Sequence, residues 1–197
     1  MQQLPPDQDR YLVLLKHMAT LSPPLFVMGG FAEDALLYHR ITRQHGDLDV
    51  LIVRSQLNQC LQQLKPLGFA EFEGYLEESP GRPLILGARA DNLHLEIGVS
   101  NPEPSGGYIF EVPGQPPPSR FRVFLPEDTF QYPATTIEGV AIQTISPLAL
   151  YQMRAASAMT RSFGEMRASD LTMQEQLRKT FFASQDERQL IPKIVKL

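Results

Sequence analysis

Two adjacent glycines, Gly29 and Gly30, close a short apolar run, Phe26-Val27-Met28, and a later segment, Gly46-Asp47-Leu48-Asp49-Val50, alternates two carboxylates with apolar residues. A tight glycine turn set ahead of a strand that carries two acids limits what the chain can build. On an extended strand, side chains two residues apart leave the same face, roughly 6.6 Å apart along the strand. Asp47 and Asp49 can therefore reach one hard cation or two neighbouring ones. Mg²⁺ takes oxygen ligands in octahedral geometry, typically one or two carboxylates completed by substrate phosphates, and paired metals clamp the attacking and leaving oxygens of an in-line displacement. The glycines answer a second need, because backbone N–H groups at a helix N-terminus approach phosphate oxygens only where no side chain obstructs them. Each half alone is ordinary: two glycines make a turn, and Asp-x-Asp is a solvated strand face. Together they point to a nucleotide held with magnesium.

The surrounding periodicities give an order of elements. Asp7 is expected to cap a first helix reaching about Thr20, with Tyr11, Leu12, Leu15 and Met18 at helical spacing. Phe26-Val27-Met28 reads as a strand, and 31–38 as a helix with Phe31, Ala35 and Tyr38 on one side. Residues 47–53 alternate as a strand, and Ser55 is expected to cap a helix striped by Leu57, Cys60, Leu61 and Leu64 and ended near Gly68. Short strands follow at 69–75, 84–88 and 93–99. The stretch 101–120, with Pro116-Pro117-Pro118, reads as an extended surface loop. Two more strands are expected at 121–125 and 135–145, the latter bent at Gly139. Ser146-Pro147 is a helix start, serine as cap and proline at the first helical position. The remainder reads as helical, interrupted around 161–164 and near Pro192. The expected fold is α/β (α+β), a small mixed sheet with flanking helices. Residues 1–145 would form the core with its β extension, and 146–197 a helical C-terminal segment.

Leu93-His94-Leu95-Glu96-Ile97 alternates again, with His94 and Glu96 opposite the apolar residues. If this strand neighbours the one bearing Asp47 and Asp49, three carboxylates converge, and Glu96 can act as general base on an acceptor hydroxyl while helping to position metal. Arg43 and His45 stand just before the aspartate strand. They either contact the nucleotide through charge-assisted hydrogen bonds or merely solvate a loop. His94 reads as structural, bonded to a backbone or carboxylate neighbour. The four histidines lack zinc-like spacing.

With 197 residues the chain suffices for one domain with a full core and a small appended subdomain. A net charge of -4 and a pI near 5.6 give no general pull toward nucleic acid, so a polyanion site must be a local cluster of cations. A lone cysteine, Cys60, excludes an internal disulfide and suits a reducing compartment. No apolar stretch approaches bilayer length, so no membrane partner is expected and the cytoplasm is the expected location.

The runs Gly29-Gly30-Phe31-Ala32-Glu33-Asp34 and Arg40-Ile41-Thr42-Arg43-Gln44-His45-Gly46-Asp47-Leu48-Asp49 resemble the signature of aminoglycoside and lincosamide nucleotidyltransferases in the DNA polymerase β-like superfamily. The resemblance covers about residues 25 to 100. It implies that Gly29 and Gly30 bind nucleotide phosphates, that Asp47 and Asp49 hold Mg²⁺, and that Glu96 activates the acceptor hydroxyl. Many members carry aspartate where this chain has Glu96. The C-terminal helices are similar in outline, which places Arg154 near the phosphates; otherwise it is an ordinary surface arginine. The implied reaction moves a nucleoside monophosphate from an NTP, ATP foremost, to a hydroxyl of a small-molecule acceptor and releases pyrophosphate. Transfer to RNA or to a protein hydroxyl, and a nucleotide-binding module without catalysis, are the alternatives.

Overall fold

A computed structural model describes residues 6–79, 81–114, 119–160 and 168–197. Chain order is α1 (Pro6–Met18), β1 (Phe26–Met28), α2 (Gly29–Tyr38), β2 (Leu48–Val53), α3 (Leu57–Leu64), β3 (Phe72–Ser79), β4 (Arg82–Ala90) and β5 (Leu93–Pro102). It continues through β6 (Tyr108–Pro113), β7 (Arg120–Leu125), β8 (Thr135–Ile137), β9 (Val140–Ile142), α4 (Pro147–Thr160), α5 (Ala168–Phe181), α6 (Glu187–Leu190) and β10 (Lys193–Lys196). The fold is mixed α/β with a mostly antiparallel sheet, as expected. No helix among the described residues is long and apolar enough to cross a membrane.

The chain divides into two compact units, Met1–Val99 with Pro133–Ile145, and Ser100–Tyr132 with Ser146–Leu197. In the first, the strand order is β1-β2-β5-β4-β3. Leu48, Val50, Leu51 and Ile52 of β2 are all buried, so this strand is covered on both faces except where the acids emerge. Leu95 and Ile97 of β5 are fully buried on the face opposite Glu96. α1 contributes Tyr11, Leu14, Leu15 and Met18 to the core, and α2 contributes Phe31, Ala32, Ala35 and Leu36. Full burial of each large apolar side chain contributes about 1.5–3 kcal/mol. Cys60 is buried on α3, where burial pushes its thiol up to about 12, and it behaves as a small core residue.

Several local readings are corrected. A 3₁₀ turn at Arg54–Gln56 leads into α3 with no side-chain cap, so Ser55 does not play that part. Gly68 does end this helical stretch, in the left-handed conformation. Asp7 lies inside α1, and its side chain falls outside the described residues. The strand expected over 135–145 is a tight hairpin, β8 and β9, turned by Glu138 and Gly139 at positive φ.

In the second unit the stretch 101–120 is not simply a loop. β6 lies within it, antiparallel to β7, with Phe110 and Val112 buried. Prolines bracket these strands rather than interrupt them, which is where a strand tolerates proline; residues 115–118, including the triple proline, lie outside the described residues. The C-terminal stretch is also not all helix, because β10 pairs with β7 after Pro192. The interruption expected at 161–164 lies outside the described residues.

α4 starts as its sequence demands. Ser146 Oγ accepts from the Ala149 backbone N–H at 3.2 Å and donates to Asp128 at 3.1 Å, and Pro147 takes the first helical position. Loss of such a cap costs about 0.5–2 kcal/mol. Ser146→Ala should lower the urea midpoint accordingly with the slope unchanged; an unaltered midpoint would show the cap to be dispensable.

Candidate active site

β1 runs antiparallel to β2 with Met28 opposite Asp49, so the turn at Gly29 falls directly beside that carboxylate. Gly29 has φ +62, and a Cβ there would stand 2.1 Å from Asp49 Oδ2. Glycine is required twice over, by conformation and by space. A Cβ at Gly30 would stand 2.5 Å from His45 Nδ1 and 2.9 Å from Arg43 Nη2, which brings both side chains against the same turn. α2 begins at Gly29, and Met28 ahead of it makes no side-chain cap, so the start of this helix lies at the turn beside Asp49.

In the sheet β5 is the next strand after β2, and the expected convergence is present. Asp47, Asp49 and Glu96 each offer a carboxylate oxygen, and these oxygens all lie within 4.8 Å of one another. None of the three is fully buried. Burial, then the negative charge of Asp47, pushes the Glu96 carboxyl above its ordinary range, while a hydrogen bond shared with Asp49 pulls the other way. Crowded carboxylates with one proton affinity raised are what a site for a hard cation looks like before its charge is balanced.

The loop 42–46 that delivers Asp47 is tied down by buried polar groups. Asp34 of α2 is fully buried and accepts from the Thr42 backbone N–H at 2.8 Å and from Thr42 Oγ1 at 2.5 Å. His45 Nε2 lies 2.9 Å from the same carboxylate, and the His45 ring stacks on Phe31 at 4.2 Å. Gln8 of α1 brackets the His45 backbone, donating to its carbonyl at 3.1 Å and accepting from its N–H at 3.3 Å. Tyr11 Oη donates to the Gly46 carbonyl at 2.9 Å and accepts from the His94 N–H at 3.2 Å, linking the approach to Asp47 with that to Glu96. Arg43 pairs with fully buried Glu33 at 3.2 Å.

Arg43 and His45 thus stand at the turn and are already engaged by α2. His94 Nε2 is buried with no hydrogen-bond partner among the described residues, so the neighbour expected for it is missing at that atom. Arg154 is half-buried on α4 in the second unit. Sequence reasoning assigned no site role to Gln8, or to Tyr11, Glu33 and Asp34, which it read as a helix face and as part of the signature. Only the two acids carried a signal, as charged residues among apolar ones on a helix whose other positions pack inward.

A glycine-bounded strand and helix facing an acidic trio on a mixed sheet define a nucleotidyltransferase. The model of the aminoglycoside-2''-adenylyltransferase family matches residues 12–170, and the chain belongs to that family. Solved structures share the fold. The chain is similar to the antibiotic-resistance factor ANT(2'')-Ia in solution, at 18% identity and TM-score 0.63, over 90% of this chain and 86% of that one. It is similar to ANT(2'')-Ia in complex with adenylyl-2''-tobramycin, at 17% identity and TM-score 0.62, over 89% and 91%. It also resembles the lincosamide antibiotic adenylyltransferase LnuA, lincomycin-bound, at 17% identity and TM-score 0.53, over 90% and 98%. Comparison with curated proteins finds no match.

The raised proton affinity of Glu96 has a signed consequence. A carboxyl whose folded-state value lies above its ordinary 4.5 contributes stability that is complete below that value and lost as pH rises through the folded value. In metal-free protein, Glu96→Gln should melt close to the parent at about pH 4 and above it at about pH 8. Thermal melts in EDTA check this, and a gap that closes as pH rises would contradict it.

Proposed function

We propose that this chain transfers AMP from ATP to a hydroxyl of a small, aminoglycoside-like acceptor and releases pyrophosphate. The reading is carried by the three carboxylates gathered beside the Gly29-Gly30 turn, and family membership supports it. The donor set fits magnesium, being all oxygen and anionic, with no histidine or cysteine within the trio. Asp47 and Asp49 would hold the ion with help from Glu96. When bound, magnesium supplies charge neutralisation to the triphosphate and to the transition state.

The chain's own groups do the rest. The N–H groups at the start of α2, with no side chain at Gly29 or Gly30, would receive the β- and γ-phosphates. Arg43, held by its ion pair with Glu33, would offer guanidinium donors at this turn, and His45, held by Asp34 and Gln8, keeps the loop in place. The acceptor oxygen attacks the α-phosphorus, its proton passes to Glu96, and the bond to the β-phosphate breaks. Most of the acceleration would come from alignment and electrostatic preorganisation.

Removing either aspartate leaves the triphosphate without its counter-charge. Asp47→Asn and Asp49→Asn should each lower pyrophosphate release by at least about a hundredfold, assayed with ATP and magnesium across aminoglycosides and lincosamides. Glu96→Gln should lower kcat while sparing ATP binding. An Asp47→Asn protein that transfers labelled nucleotide as well as the parent would end this mechanism.

A further inference from the structure

On the far side of Glu96 from the glycine turn, one aromatic ring is held in an unusual way. In the antiparallel pair β4–β5, Gly87 stands opposite Glu96, and cross-strand partners share a face. A Cβ on Gly87 would meet the Tyr75 ring at 2.3 to 2.5 Å. The hydroxyl end of the Tyr75 ring therefore lies over Gly87, on the face from which Glu96 projects. Gly87 is buried, whereas Tyr75 itself is 49% exposed. The register of β3 against β4 shifts between Gly74 and Leu76 and leaves Tyr75 as the extra residue of a bulge. Bulges re-aim a side chain, and this one lays the ring where the missing side chain of Gly87 leaves room.

The strand order then decides what meets the ring. Along the sheet come β1, ending at the glycine turn, β2 with the aspartates, β5 with Glu96, β4 with Gly87, and β3 with Tyr75. In-line displacement needs the entering and leaving oxygens on opposite sides of the phosphorus. With the β- and γ-phosphates at the glycine end, the entering hydroxyl comes from the side of β4. The ring lies about one strand spacing, about 4.8 Å, from the Glu96 column. Glu73, in register with Gly87, is exposed on the same face and adds negative charge.

We propose that Tyr75, seated on Gly87, is the platform that receives the acceptor, and that it selects ring-bearing cations. An exposed tyrosine face beside carboxylates attracts an ammonium group through the ring quadrupole and offers flat apolar area to a saturated ring. A neutral hydroxyl compound gains only the second of these. The inference rests on the proposed function and names the group that chooses its substrate.

Calorimetric titration of tobramycin into the full chain with magnesium and no nucleotide tests it, with pyrophosphate release assayed in parallel. The parent should bind, Tyr75→Ala should bind about tenfold more weakly, and Tyr75→Phe should stay within about twofold, since the ring and not the hydroxyl is needed. Gly87→Ala supplies a second variant, because its new methyl evicts the ring while the side chain of Tyr75 is free to swing outward. It should weaken tobramycin as Tyr75→Ala does, and the double variant should be no weaker than either, as expected for two changes acting on one element. In turnover, both single variants should raise the acceptor KM and leave the ATP KM unmoved. Failure of the parent to bind, or undiminished binding by Tyr75→Ala, overturns the platform. Tobramycin binding that depends on Tyr75 without pyrophosphate release would keep the platform and sink the proposed reaction; release with an unchanged acceptor KM in Tyr75→Ala would do the reverse.

Discussion

Three carboxylates whose oxygens lie within 4.8 Å of one another repel, and the first unit is built to hold them together against that repulsion. Burial first, and then the charge of Asp47, raises the proton affinity of Glu96, while a hydrogen bond with Asp49 lowers it. A divalent cation bound there would remove the repulsion that the fold tolerates. The glycine at position 29 belongs to the same constraint. Asp49 occupies the space a side chain there would need, so the turn and the carboxylate fit only as a pair.

Rigidity under the trio comes from buried polar groups rather than from apolar packing alone. Asp34 accepts three contacts from the loop 42–46, and Tyr11 joins that loop to the strand of Glu96. Such groups are expensive to bury unless satisfied, and satisfied networks specify one geometry. The loop that feeds the aspartates is therefore fixed from beneath by α1 and α2. This is the second layer a preorganised site requires if its carboxylates are to stay within fractions of an ångström of their working positions.

Under the proposed reaction, the two ends of this sheet would recognise different groups. Toward β1 it ends in backbone N–H groups and a helix start, which suit phosphate. Toward β3 it offers a tyrosine face and an acid, which suit a cationic ring. Glu96 stands between them. In the proposed reaction, nucleotide and acceptor would meet at Glu96, the group that would take the proton.

Much of this was legible in the chain itself. The alternation in 47–53 and 93–97 settles which face Asp47, Asp49 and Glu96 leave, and the diglycine marks the junction of β1 and α2. Ser146-Pro147 announces α4, because capping is a contact between residues three apart. Such features depend on neighbours in sequence, and periodicity records them. Strand order, the strands β6 and β10, the bulge at Tyr75 and the partners of Asp34 depend on neighbours in space. The prolines of 101–120 mask a strand that exists because β7 pairs with it, and Gly87 acquires meaning only once β3 lays a ring across it. Local pattern determined which side chains face outward together; pairing across the sheet decided which of them meet, since register is set by the packing of segments far apart in the chain.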